Sequence, residues 1–302
     1  MKIGVTGGTG FIGRYLLREL LSQGYEVNAW ARTPSACLGI DDHPRLQWVQ
    51  GDLESPESIQ PLIAGCDAVV HGALWRPGKT FRGTEGDVVR YAEVNLVGSF
   101  RLIDTAFQAG INRFIYVSTC AVHEKILADR PLDEAHPLWP FSHYGAHKAA
   151  VEKFVHSYAF GHQYPICAIR PTGVYGLCHH APSSKYFGLV QSILQGSDVD
   201  CFRGGKEVHA ADVARGIRCL LSAPADTIRG EAFNCYDRYI SEFEVAELTK
   251  ELTGSTSKIS GEVKRPRHEI ETAKIESLGM QFGGDRLLRE TLVQLIDQAK
   301  SR

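Results

Sequence analysis

Apolar positions along the first 235 residues alternate between two rhythms. Short apolar runs at 2–6, 25–31, 46–50, 68–71, 113–117 and 164–170 read as buried strands. Between them, apolar residues recur at helical spacing. Over 11–23 these are Phe11, Ile12, Tyr15, Leu16, Leu17, Leu20 and Leu21, and a long helix is read over 87–109. Strands alternating with crossover helices predict an α/β fold, a doubly wound parallel sheet with right-handed connections. Further on, a helix is read at 185–195, a glycine-rich turn at 204–205 and a last strand at 231–235. Helical patterns at 241–253, 269–278 and 285–299 complete the chain. The predicted division is a sheet domain of 1–172 plus 197–235 and a smaller, largely C-terminal lobe of 173–196 plus 236–302.

Composition narrows the partners. A chain of 302 residues has ample core for one large domain with a smaller cap. Its net charge of −2 provides no basic field, so neither nucleic acid nor a membrane surface is an expected partner. No apolar run is long enough to span a bilayer, and a soluble cytoplasmic protein is expected. The eight cysteines contain no Cys-x-x-Cys pair and read as reduced thiols. Cys178-His179-His180 cannot all face one ion from a regular backbone, so no metal is predicted.

The turn between the first strand and the first helix changes the picture most. Gly7, Gly10 and Gly13, with Gly8 and Thr9 between, satisfy both Gly-x-Gly-x-x-Gly and Gly-x-x-Gly-x-x-Gly. Glycine admits positive φ and lets a ligand approach the backbone. The amides and positive dipole of a new helix, here beginning at Phe11 and Ile12, favour a pyrophosphate. A dinucleotide site follows, with further contacts expected from three strand ends. After the second strand, Ala31 stands where NAD-preferring sites carry an acid, and Arg32 suits a 2′-phosphate, so NADP is expected with NAD as the alternative. Asp52 and Leu53 are placed beside the adenine, and His71-Gly72-Ala73 lets the backbone pass close to the cofactor. His71 itself reads better as a packed strand-end histidine than as a catalyst. Residues 75–87, rich in glycine and charge, read as a mobile loop able to act as a lid.

Reactive groups cluster at and after the fifth strand. Ser118 and Thr119 end it, where α/β sheets place ligands. Tyr144 and Lys148 stand at i and i+4 on one helix face, so an ammonium can stabilise a phenolate whose free pKa, about 10, is too high for a base at neutral pH.

With Asp52, Asn95-Leu-Val-Gly98, Ser118-Thr119 and Arg170-Pro-Thr-Gly-Val-Tyr-Gly176, these motifs make the chain resemble an extended short-chain dehydrogenase/reductase of the NAD-dependent epimerase/dehydratase family. The resemblance implies a Rossmann domain with a substrate-binding lobe. Tyr144 would be the acid/base, Lys148 its pKa-lowering and ribose-binding partner, and Thr119 the group bonding the reacting oxygen. Ser118 is the next candidate, and Asn95 is either structural or part of a proton relay. Pro171 and Val174 would line the nicotinamide pocket.

Two departures bear on the reaction. Cys120 and Ala121 replace the acidic pair of the 4,6-dehydratases, and Gly205 and Lys206 stand where epimerases carry a diphosphate-clamping Arg. Arg203, Lys206, Lys264, Arg265 and Arg267 read as solvated charges or, in the alternative, as a different anion site. The expected activity is hydride transfer between a nicotinamide and a secondary alcohol or ketone carbon of a sugar nucleotide or similar small molecule. Epimerisation with retained cofactor and a non-catalytic dinucleotide-sensing regulator are the alternatives. The resemblance also implies a homodimer through the helices bearing Val88, Val89, Leu96, Phe154 and Val155.

Overall fold

The computed structural model describes residues 1–40, 42–78 and 83–301. Part of the 75–87 lid expectation therefore lies outside the described residues. The chain divides into two compact units, Met1–Pro171 with Val213–Cys235 and Ile270–Met280, and Thr172–Asp212 with Tyr236–Glu269 and Gln281–Arg302. Two boundaries differ from the sequence reading. Residues 197–212 lie in the second unit, and 270–280 return to the first.

In chain order the first unit opens with β1 (Lys2–Thr6), α1 (Phe11–Ser22), β2 (Glu26–Ala31), β3 (Leu46–Gln50), α2 (Ile59–Ile63) and β4 (Ala68–His71). There follow α3 (Val88–Ala92), α4 (Gly98–Gln108), β5 (Arg113–Val117), α5 (His143–His162) and β6 (Ile166–Pro171). The second unit then begins with β7 (Gly173–Tyr175), α6 (Phe187–Leu194), β8 (Val199–Cys201) and β9 (Gly204–His209). Helix α7 (Ala210–Ser222) carries the chain back to α8 (Ala225–Ile228) and β10 (Ala232–Cys235). The remainder is β11 (Arg238–Ser241), α9 (Glu242–Thr253), β12 (Ile259–Gly261), α10 (Ala273–Glu276) and α11 (Gly284–Lys300).

The first unit is a seven-stranded sheet of order β10-β6-β5-β4-β1-β2-β3, every pairing parallel. Parallel strands need apolar cover on both faces, which is why these runs are nearly continuous rather than alternating. The order reverses between β1 and β4. In such sheets the crevice beyond the carboxyl ends of those two strands takes the ligand.

The second unit has a three-stranded sheet, β11-β9-β7, and a two-stranded one, β12-β8. Its core is the apolar faces of α6, α9 and α11, including Val190, Val245, Leu288, Leu292 and Leu295. Gly204 and Gly205, expected in a turn, are instead strand residues opposite Ser241 and Ile240. The four strands β7, β8, β11 and β12 are too short to leave a sequence period of their own. No helix among the described residues is long and apolar enough to cross a membrane, and all eight cysteines are free thiols.

The predicted 87–109 helix is interrupted by a π-helical turn, Glu93–Val97. Asn95, buried within it, gives its side chain to another segment. Its Oδ1 accepts from the Trp75 amide at 2.8 Å, and its Nδ2 donates to Trp75 O at 2.9 Å and Tyr91 O at 3.0 Å. A π turn re-aims one side chain while keeping the helix continuous.

Candidate active site

The glycine turn is built around two positions where a side chain has no room. Gly7 has φ +75°, and a Cβ there would lie 2.7 Å from the Gly72 backbone; at Gly13 it would run into Gly7 O. The two strand ends at the sheet's reversal thus touch backbone to backbone. Helix α1 starts at Gly10 with no side-chain cap, which leaves its first amides available to an anion. Arg14, which the sequence reading passed over, ties this turn to the segment after β2: its Nε donates to Thr9 O at 3.1 Å and Nη2 to Ala36 O at 3.0 Å. An open glycine cradle with uncapped amides fits a pyrophosphate.

The other expected cofactor residues divide. Arg32 is exposed, beside the hydrogen-bonded hydroxyls of Thr33 and Ser35. Asp52 is partly exposed and accepts from the Glu54 amide at 2.9 Å, whereas Leu53 is buried in the core with Val94 and Leu102. Gly72 is exposed and Ala73 partly so, but His71 is sealed in. Pro171 is a buried strand residue, and Val174 belongs to the second unit.

His71 has a definite proton arrangement. Thr6 Oγ1 accepts from the Gly72 and Ala73 amides at 3.2 and 3.1 Å, which uses both lone pairs. Its own proton therefore goes to His71 Nδ1, 2.7 Å away. The imidazole then carries its hydrogen on Nε2 and donates to Ser99 Oγ at 2.8 Å, and Ser99 donates to Asn95 O. Burial lowers the His71 pKa to about 3, with the Lys148 charge adding to the effect. His71 holds the 72–75 segment in place from a fully buried position. Both Nδ2 hydrogens of Asn95 and one lone pair of Oδ1 are spent on backbone groups, a structural arrangement that leaves one acceptor position on Oδ1.

Helix α5 starts where the sequence places it. Ser142 caps it, accepting from the Gly145 amide at 3.0 Å, and Glu124 accepts from the amides of Phe141 and Ser142. At Gly145 a Cβ would lie 2.7 Å from Ala121 O. Glycine there brings the first turn of α5, with Tyr144, against the backbone two residues beyond Thr119. Tyr144 is partly exposed, edge-on to His147 with ring centroids 5.8 Å apart. Lys148 is buried; its Nζ donates to Val117 O at 2.7 Å and lies 4.6 Å from the Tyr116 ring centroid. Burial lowers its pKa to about 7, while the Glu152 carboxylate opposes the shift.

Ser118 and Thr119 have different partners. Ser118 Oγ donates to Glu152 Oε1. Glu152 is gripped by Arg170 through Nε at 3.1 and 3.2 Å and Nη2 at 2.6 Å, and Arg170 Nη1 reaches Glu134 O at 3.1 Å. Thr119 Oγ1 only accepts the Ala121 amide at 3.1 Å, which leaves its proton for a ligand. Geometry therefore favours Thr119 over Ser118. Glu152 was missed in the sequence, although its position two helical turns after Tyr144 marks it. Cys120 points its thiol at Arg170 O, 3.0 Å away, and burial pushes its pKa up to about 12, so it is no acid/base at neutral pH.

Of the residues expected at a dimer face, Val88 and Val89 are exposed, Phe154 is partly buried against Phe100, and Val155 is in the core.

The NAD dependent epimerase/dehydratase family matches residues 3–235. A dTDP-D-glucose 4,6-dehydratase of Mus musculus is 29% identical over 92% of this chain and 83% of its own. A 4-hydroxy-2-methyl-3-oxo-4-farnesyl-3,4-dihydroquinoline-1-oxide ketoreductase of Stigmatella aurantiaca is 35% identical over 84% and 72%. Among solved structures, UDP-glucose 4-epimerase of Thermotoga maritima, determined with UDP-glucose, superposes with a TM-score of 0.81 over all of both chains at 22% identity, a likeness of fold. Sequence motifs, sheet order and relatives agree, and the chain belongs to the NAD-dependent epimerase/dehydratase family of extended short-chain dehydrogenases/reductases.

Proposed function

We propose that the protein is a nicotinamide-dependent oxidoreductase acting on a secondary alcohol or ketone, with Tyr144 as acid/base. The observation carrying this reading is the Tyr144 and Lys148 pair set at the end of β5, with the Thr119 proton uncommitted. When bound, the nicotinamide takes or supplies the hydride. In the reducing direction Tyr144 gives its proton to the forming alkoxide oxygen and Thr119 donates a hydrogen bond to it. Lys148, held at Val117 O, stabilises the phenolate left behind.

Net reduction is favoured over dehydration, because Cys120 and Ala121 supply no acid/base, and the Stigmatella aurantiaca relative is a ketoreductase. Substrates are small molecules, sugar nucleotides or ketones of similar size. NADP is favoured over NAD by exposed Arg32 with the Thr33 and Ser35 hydroxyls, although structural neighbours carry NAD. The second unit serves as the substrate lobe, and exposed Val88 and Val89 support a homodimer. A cytoplasmic location goes with this reading.

Turnover at 340 nm with a carbonyl and sugar-nucleotide panel tests the proposal. Tyr144→Phe is expected to lower kcat by about 10²–10⁴-fold with folding intact. Activity unchanged in that variant overturns the reading. Arg32→Ala should weaken NADP binding about tenfold and leave NAD binding unchanged; equal effects remove the NADP preference.

A further inference from the structure

Beneath the Tyr144 and Lys148 pair, β5 supplies a side chain that the reaction above leaves without a role. Tyr116 immediately precedes Val117, whose carbonyl takes one hydrogen of the Lys148 ammonium at 2.7 Å. The same ammonium lies over the Tyr116 ring, 4.6 Å from its centroid. Both side chains are buried. The ring owes its place to the sheet. Tyr116 pairs with His71 of β4 on one side and with Ala168 of β6 on the other. Paired residues of neighbouring strands share a face, so small Ala168 leaves room while the His71 ring packs on Tyr116 with centroids 5.5 Å apart. The Tyr116 hydroxyl has no hydrogen-bond partner among the described residues, so packing rather than a polar contact fixes the ring.

A buried ammonium has lost its hydration and needs an electrostatic substitute. The charged and titratable groups around Lys148 supply little. Glu152, one turn further along α5, favours the charged form, but its oxygens are held by Arg170 of β6 and by Ser118, and the guanidinium opposes its charge. His71 of β4 and His147 of α5 are kept neutral by burial, with the Lys148 charge adding to the effect. Tyr91 of α3 meets His147 Nδ1 at 3.2 Å, and burial raises its pKa, so it too is uncharged. Tyr144 is the group that Lys148 serves. Val117 O and the negative face of the Tyr116 ring make up the deficit. An aromatic face attracts a cation most strongly where water is excluded.

We infer that Tyr116 is a positioning residue whose ring face keeps the Lys148 ammonium charged and seated against the end of β5. Burial has already brought Lys148 down to about 7, so near neutral pH a tenfold change in its proton balance decides between ammonium and amine. An amine stabilises no phenolate. Without the ring, Tyr144 would need a higher pH to act as a base. That consequence rests on the hydride-transfer reading, whereas the charge of Lys148 is measured without it.

The test grows the full chain with isotope-labelled lysine and follows the Lys148 Cε resonance by NMR against pH, without cofactor or substrate. Loss of the signal in Lys148→Met assigns it. Tyr116→Phe keeps the ring, a ring-fluorinated phenylalanine at this position keeps the shape but withdraws π density, and Tyr116→Leu removes the ring. Tyr116→Phe is expected to titrate with wild type. The fluorinated ring and Tyr116→Leu are expected to lower the midpoint by about one pH unit, a tenfold loss of charged lysine. The fluorinated variant preserves packing, so the result does not depend on Tyr116→Leu folding; melting temperatures are recorded alongside. In the oxidising direction the acid limb of kcat should move to higher pH with the fluorinated ring relative to Tyr116→Phe. The inference is overturned if the fluorinated ring and Tyr116→Phe titrate alike, or if loss of the ring raises the midpoint. Midpoints that shift as expected in a protein without turnover overturn the redox reading and uphold the role of the ring. Turnover with unshifted midpoints does the reverse.

Discussion

Glu152 and Glu207 are both buried carboxylates facing a cation, and they use their oxygens in opposite ways. Glu152 is saturated: Arg170 grips both of its oxygens, Ser118 adds a third donor, and the side chains of the pair are 1% and 3% exposed. Glu207 is bonded on one oxygen only, by a lysine whose side chain is 41% exposed. A saturated ion pair holds its neighbours rigid, here the end of β5 and the helix of Tyr144 and Lys148. A half-saturated one leaves an acceptor unpaired. Equal burial therefore does not mean equal role; the count of satisfied lone pairs separates the two carboxylates.

Removing one carboxylate at a time should show the largest contrast. Glu152→Ala leaves the Arg170 charge buried without its partner and should cost about 3–5 kcal/mol in urea unfolding, whereas Glu207→Leu should be neutral or stabilising by about 1 kcal/mol. Similar losses at both sites would break the comparison.

Acid is expected to act next, through the buried histidines of the first unit. Burial lowers the pKa of His71 to about 3 and of His123 to about 4, and holds His147 well below its usual value. Between pH 6.5 and about 4 the unfolded chain binds protons that the folded chain refuses. Stability should therefore fall as pH falls through that window, by up to about 1.4 kcal/mol per pH unit for each histidine. Glu207 has the opposite sign: burial raises its pKa, with Lys185 opposing, so the folded state gains stability as pH falls through that range. Unfolding midpoints at pH 6.5 and 5.0, in wild type and Glu207→Leu, measure both slopes.

The smallest effects separate Ser118 from Thr119. Ser118→Ala should cost about 1–2 kcal/mol of stability and retain most turnover, because only its bond to Glu152 is lost. Thr119→Val should leave stability within about 0.5 kcal/mol and reduce kcat about 10–100-fold. Reversed outcomes would make Ser118 the reacting-oxygen donor.

The sheet, its parallel sense and the glycine turn were legible from the chain because each rests on local chemistry repeated along it. Apolar runs, helical spacing and glycines that must follow a strand all act within about ten residues. Tyr144 and Lys148 were legible for the same reason, being one helical turn apart. The packed place of His71 was legible too, but the hydrogen-bond partners of Asn95, Ser118 and His71 were not, because Trp75, Glu152 and Thr6 lie 20, 34 and 65 residues away and only the fold shows which lone pairs are spent. Gly204 and Gly205 read as a turn because glycine usually permits one, while in the sheet Gly205 instead makes room for a carboxylate.

By itself, then, the sequence determined the fold class, the glycine turn after the first strand and the one-turn spacing of Tyr144 and Lys148, all set by short-range periodicity and backbone freedom. Tertiary structure alone decided which polar groups are satisfied and which remain available, because hydrogen-bond saturation depends on residues that approach only when the sheet has formed.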